Sequence, residues 1–75
     1  MHSKQRAEYH LYMTRLHDNI AMTRVHAKLA KDAENDMEAM EHDYQYIKHM
    51  AQAVFCLTHA RNLRIKEKTN YGNQF

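Results

Sequence analysis

The sequence contains no proline and only one glycine, Gly72, among its 75 residues. The two residue types that most often interrupt a helix are therefore missing from almost the whole chain. The rest of the composition favours Ala, Met, Lys, Arg, Glu and Gln, which are good helix formers. We therefore expect an all-α fold.

Cysteine is almost absent, because Cys56 is the only one in the chain. A single cysteine excludes an internal disulfide, so a reducing compartment such as the cytoplasm is the simplest setting. An unpaired thiol in an apolar segment more often behaves as a small buried hydrophobe than as a nucleophile. We expect Cys56 to be buried and unreactive.

Long apolar runs are also absent, since the longest extends only from Ala53 to Leu57. The sequence therefore predicts neither a membrane span nor a signal peptide. It contains no Gly-rich phosphate loop, and its chemically reactive side chains form no catalytic set. We expect a protein that is not an enzyme and that uses no cofactor.

Two stretches of the chain carry apolar residues at alternating steps of three and four, the spacing that places side chains on one face of a helix. We expect each stripe to face the other helix. The first stripe comprises Tyr9, Met13, Leu16, Ile20, Thr23, Ala27 and Ala30, and the second comprises Met37, Met40, Tyr44, Ile47, Ala51, Val54 and Thr58. By the same periodicity Tyr44 belongs to the core, whereas Tyr46 falls on the polar side.

The stripes predict one domain, residues 1–75, made of an antiparallel helical hairpin. The first helix spans about 4–32, the turn about 33–36 and the second helix about 36–68, followed by a flexible tail at 69–75. Asn35 is the expected N-cap of the second helix, with Glu38 three residues later in a capping-box position. Residues whose numbers add to about 68 then face each other, so Ala27 and Ala30 meet Met40 and Met37.

A continuous rod is the alternative, because no Gly or Pro enforces a break and the heptad phase runs unbroken from residue 9 to 65. In that case the chain forms one long helix in a coiled coil. The seam of such a rod would contain Thr23, Ala30, Ala51 and Thr58, which make a weak two-stranded core. The hairpin is therefore the preferred prediction.

A domain this small buries only about 60% of the surface its unfolded chain exposes, so self-association is a natural way to complete its core. One hairpin partner cannot cover the segment from Met50 to Leu57, which is apolar around most of its circumference. We expect two hairpins to form a homodimeric four-helix bundle. The residues assigned to the core or the dimer contact are Leu16, Ile20, Tyr44, Ile47, Met50, Val54, Phe55 and Leu57.

Charge is strongly segregated along the chain, although the net charge is only +2. The twelve residues from Asp32 to Asp43 hold six carboxylates and no Lys or Arg. Such a block is typical of a solvated turn and helix start, but it can also mimic a phosphate backbone or pair with the basic part of a second copy. This acidic block consists of Asp32, Glu34, Asp36, Glu38, Glu41 and Asp43.

Basic residues gather at the opposite, open end of the predicted hairpin. In ordinary cases they serve solubility, but with Tyr9 and Tyr71 nearby they also suit an RNA or DNA surface. This basic end consists of Lys4, Arg6, Arg61, Arg64, Lys66 and Lys68.

Seven histidines are many for this length. None of them shows the four-residue spacing of zinc ligands on one helix, and there is no cysteine pair, so we predict no metal site. The hairpin register places His26 opposite His42, and His10 opposite His59. An assembly with His26 against His42 would be sensitive to pH, because two imidazolium ions repel.

These features favour a small interaction module, an inhibitor or adaptor that binds another protein through its acidic tip or an apolar helix face. Accessory proteins of phages and mobile elements are often this small, which is an analogy of size alone. The alternative is a dimeric RNA- or DNA-binding protein that uses the basic end.

Overall fold

A computed structural model describes the backbone of residues 3–72 and the side chains of residues 3–66. It contains two helices, α1 (Ser3–Lys31) and α2 (Asp36–Gly72), which pack against each other as an antiparallel hairpin. The predicted hairpin is confirmed, and the continuous rod is wrong. The expected tail differs as well, because α2 continues through Gly72, while residues 73–75 lie outside the described part of the chain.

The turn between the helices is built by caps and not by glycine. The amide of Asp32 still donates to the carbonyl of Lys28 at 3.0 Å, and the amide of Ala33 donates to Ala30 at 3.4 Å, which tightens the last turn of α1. The amide of Glu38 then donates to the side-chain oxygen Oδ1 of Asn35 at 2.8 Å. Asn35 is therefore the N-cap of α2, as predicted.

The hairpin register follows the predicted rule that facing residue numbers add to about 68. Nδ1 of His26 lies 3.1 Å from Nδ1 of His42, and Nδ1 of His49 lies 2.9 Å from Oδ1 of Asn19. The residue numbers of each pair add to 68. A shift by one helical turn would separate both contacts, so these polar side chains help to set the register.

The buried centre of the hairpin combines bulky residues of α1 with small residues of α2. Leu16 packs with Ala53 and Cys56, and Tyr12 and Ile20 lie against this cluster. Small side chains on α2 let the two backbones approach closely, while the larger side chains of α1 fill the space between them. The burial expected for Cys56 is confirmed, because its side chain is only 5% exposed.

The predicted stripe of α2 is wrong as a contact with α1. Met37 is 82% exposed, Tyr44 64% and Ile47 63%. Each of these residues precedes by two positions a residue that does face α1, and two positions correspond to a rotation of about 200° around the helix. The inner face of α2 instead comprises Ala39, His42, Tyr46, His49, Ala53, Cys56, Ala60 and Leu63, all buried or partly buried.

Two consequences of this rotation correct individual predictions. Ala27 is exposed and does not meet Met40, which is also exposed. Tyr44 and Tyr46 exchange their predicted roles, because Tyr46 is partly buried on the inner face.

The set assigned to the core or dimer contact divides in the same way. Leu16 is buried and Ile20 is partly buried, so both belong to the hairpin core. The other six members are exposed in the single chain and lie outside the hairpin core, so their assignment to a dimer contact stays a prediction: Tyr44, Ile47, Met50, Val54, Phe55 and Leu57.

Candidate interaction surface

The outer face of α2 carries an apolar stripe that none of the described residues covers. We call outer stripe the seven residues Met37, Met40, Tyr44, Ile47, Ala51, Val54 and Thr58, all of them exposed. They follow one another at steps of three and four, and Ile65, one heptad beyond Thr58, is 55% exposed. With a rise of about 1.5 Å per residue, the surface from Met37 to Ile65 is about 42 Å long.

Such a surface differs from the scattered apolar residues that any protein exposes. Isolated exposed hydrophobes are ordinary, whereas a contiguous apolar patch on a small protein marks a contact with another molecule. The heptad spacing further restricts the contact, because a stripe of this period is complementary to the side of another helix.

A shallow depression lies at the C-terminal part of this surface. Its volume is about 170 Å³, and it is lined by Thr58, Arg61, Asn62 and Ile65. These residues stand at positions i, i+3, i+4 and i+7. Four residues in that arrangement form the hole that receives one side chain of a facing helix in a coiled coil.

The acidic block surrounds the N-terminal part of the outer stripe. All six of its side chains are exposed. Asp36 and Glu38 lie in the first turn of α2, where the helix dipole favours negative charge. The block is therefore a helix-start signal, as predicted, and it also makes one end of the apolar surface strongly negative.

The basic end lies at the other end of the same surface. Arg61, Arg64 and Lys66 are exposed on α2, and Lys4 and Arg6 are exposed at the start of α1. The side chain of Lys68 lies outside the described residues. Over the part that is described, the apolar surface is thus negative at one end and positive at the other.

A polar cluster of three histidines and one asparagine lies between the helices and does not contribute to the outer surface. The rings of His26 and His49 stack with centroids 5.7 Å apart, and the contact between His26 and His42 joins two Nδ1 atoms. In that contact one Nδ1 atom donates and the other accepts, according to the tautomers of the two rings. No group of three or more potential ligands that could hold a metal ion occurs among the described residues.

The predicted contact between His10 and His59 is wrong. His59 instead stacks on Tyr12 with ring centroids 5.0 Å apart and contacts Phe55 at 4.2 Å. His10 is exposed and its ring lies against that of Tyr9. The register is shifted here by about three residues relative to the rule that holds near the turn.

No protein-family profile matches this chain, and comparisons with curated proteins and with solved structures find no significant similarity. Within residues 3–72, neither helix combines the length and the hydropathy needed to cross a bilayer.

The sequence contains a pattern that indicates the inner face of α2, but the spacing of its large hydrophobic residues does not reveal it. Ala39, Ala53 and Ala60 share one heptad position, with Tyr46 between them, and Cys56 and Leu63 share the other. A search for small residues at heptad spacing would have found this second stripe. Large side chains dominate a hydropathy pattern, so the outer stripe concealed it.

Proposed function

We propose that this chain acts by binding another polypeptide through the outer stripe of α2, as an inhibitor or adaptor without catalytic activity of its own. The observation that supports this proposal is the exposure of large apolar side chains along one face of α2, whose opposite face already packs against α1. The free-energy gain from covering such side chains is about 25 cal/mol per Å² of apolar area.

Two further features fit a binding role in preference to a catalytic one. The single thiol is buried against α1, where it is closed to a substrate. The three clustered histidines are engaged with one another and with Asn19. A reducing compartment such as the cytoplasm suits a protein whose only cysteine is unpaired.

The expected homodimer of two hairpins is one form that this binding can take, and an unrelated helical protein is the other. In either case the outer stripe is the contact surface. The acidic block and the basic end then decide which partner is accepted and in which direction it lies.

Ile47→Lys tests the proposal, because it places a charge in the middle of the outer stripe at a position 63% exposed. Gln52→Lys is the matched control, since Gln52 is exposed on α2 outside the stripe. The three tagged proteins are used for capture from native cell extract, with and without nuclease treatment, supplemented with an untagged copy of the chain.

We expect both variants to keep the helical circular dichroism of the wild type. The polypeptides retained by the wild type should be retained by Gln52→Lys and lost with Ile47→Lys. Retention that is unchanged in Ile47→Lys, or that disappears in all three proteins after nuclease treatment, contradicts the proposal.

A further inference from the structure

We infer that the polypeptide bound at the outer stripe is a second copy of this chain, packed with its α2 antiparallel to the first. This inference rests on the proposed function and identifies the partner at that same surface. Three independent features of the hairpin support it, namely its surface area, its charge distribution and the shape of its open end.

The surface area of the single chain is too large for its mass. It exposes 6159 Å², whereas a compact monomer of this mass exposes about 4,900 Å². The surplus exceeds the roughly 800 Å² that each partner contributes to a standard protein interface. The extents of 61 × 17 × 12 Å give the reason, because a two-helix rod has little interior. A second hairpin along the length of α2 covers the surplus.

The charges select the antiparallel direction. With the crossing point near Ala51, residues of the two α2 helices whose numbers add to about 102 lie at the same level. Asp36 then lies near Arg64 of the second copy, and Glu41 lies near its Arg61. The twofold axis repeats each pairing at the other end.

A parallel pair would have the opposite electrostatics. The acidic block of one copy would lie beside the acidic block of the other, and the two basic ends would also meet. Like charges at this spacing are destabilising, so the same apolar stripe is unfavourable in the parallel direction.

The shape of the open end agrees with the antiparallel register. The depression lined by Thr58, Arg61, Asn62 and Ile65 is centred between residues 61 and 62. At that level the second copy presents Met37 and Met40, which are 82% and 70% exposed. A methionine side chain is long and flexible enough to fill a shallow hole of this kind. At the crossing point, the small Ala51 lets the two helices approach closely.

Charge exchange tests both the partner and the direction. The proteins compared are the wild type, Asp36→Lys, Arg64→Glu and the double variant carrying both changes. Dissociation constants are measured by sedimentation equilibrium at low and at high salt, and helicity is checked by circular dichroism. In the antiparallel pair each single change replaces two attractions by two repulsions, and the double variant restores both attractions.

We expect a wild-type dimer, about tenfold weaker association of each single variant at low salt, and recovery to within about threefold in the double variant. The unfavourable effect of a lysine at the helix start remains in the double variant, so recovery cannot arise from that effect. High salt should reduce the differences, because exposed charges are then screened.

Other results overturn the inference. A wild type that remains monomeric at 100 µM excludes the second copy as partner. Single variants that associate as strongly as the wild type, or a double variant no better than the singles, exclude the antiparallel direction. A monomeric wild type whose outer stripe still captures another polypeptide leaves the proposed function intact and refutes only this inference.

Discussion

The two faces of α2 show opposite choices of side chain. The inner face packs against α1 with small or polar residues such as Ala53, Cys56 and His49, and the outer face exposes large apolar ones such as Tyr44 and Ile47. In an amphipathic helix of a globular protein, the large apolar residues are expected on the face that meets the core. Their exposure fits the proposal that a second polypeptide completes the hairpin, with small side chains at the internal contact and large side chains at the external one.

The same contrast explains why a hairpin with so few buried residues carries so many exposed apolar ones. Within the described side chains, only Leu16, Ala53, Cys56 and Ala60 are buried hydrophobics. Burial of one leucine contributes about 1.5 to 3 kcal/mol, and alanines contribute less. A core of this size leaves the folded state marginal on its own, so covering the outer stripe should add substantially to stability.

The largest expected effect comes from a charge on the inner face. Ala60 is 1% exposed, so Ala60→Asp buries a carboxylate and should cost about 3 kcal/mol or more. We expect the far-ultraviolet circular dichroism to show a largely unfolded chain. Ala21→Asp is the matched control, because Ala21 is exposed on α1 and carries the same intrinsic helix penalty of about 0.7 kcal/mol. Equal losses in the two variants would show that Ala60 is not at a tight contact.

A smaller effect is expected from shortening a leucine of α1. Leu16 is 8% exposed and Leu11 is 47% exposed. The same change to alanine at both positions therefore compares the stability contributed by the inner and the outer side of one helix. Urea unfolding should show a loss of about 2 to 3 kcal/mol for Leu16→Ala and less than about 1 kcal/mol for Leu11→Ala. A larger loss for Leu11→Ala would show that α1 packs against α2 with the face that carries Leu11, which contradicts the structure.

The smallest effect is expected from the polar contact between the helices. Asn19→Ala removes the oxygen that lies 2.9 Å from Nδ1 of His49, which should cost about 1 kcal/mol in urea unfolding. Gln52→Ala is the control, because Gln52 is exposed on α2 outside the outer stripe and alanine raises the helix propensity there as well. If the two variants are equally stable, the contact between Asn19 and His49 contributes nothing.

Several features of the fold were predictable from local sequence, because they depend on interactions between neighbouring residues. Asn35 followed by Glu38 predicted the start of α2, and the helix does begin at Asp36 with Asn35 as its cap. Once the turn is placed, the rise per residue gives the register, which is how the contact of His26 with His42 was predicted. That register fails toward the open end, where His59 contacts Tyr12 instead of His10.

The candidate surface was predicted only in part. The stripe from Met37 to Thr58 was recognised as a contact face, but it was assigned to α1. The acidic block and the basic end were located from charge alone, whereas their placement at the two ends of one apolar surface needed the orientation of α2. The depression near Ile65 depends on side-chain shape, which no periodicity describes.

The sequence by itself determined two helices, the position of the turn and the pairing of residues near it, since propensity and capping act over a few residues. Only the tertiary structure decided which face of α2 meets α1. Both faces carry residues at the same heptad spacing, so the period could not separate them. The choice came from volume at the centre of the hairpin, because Leu16 and its neighbours on α1 leave room there for Ala53 and Cys56 and not for the larger residues of the outer stripe.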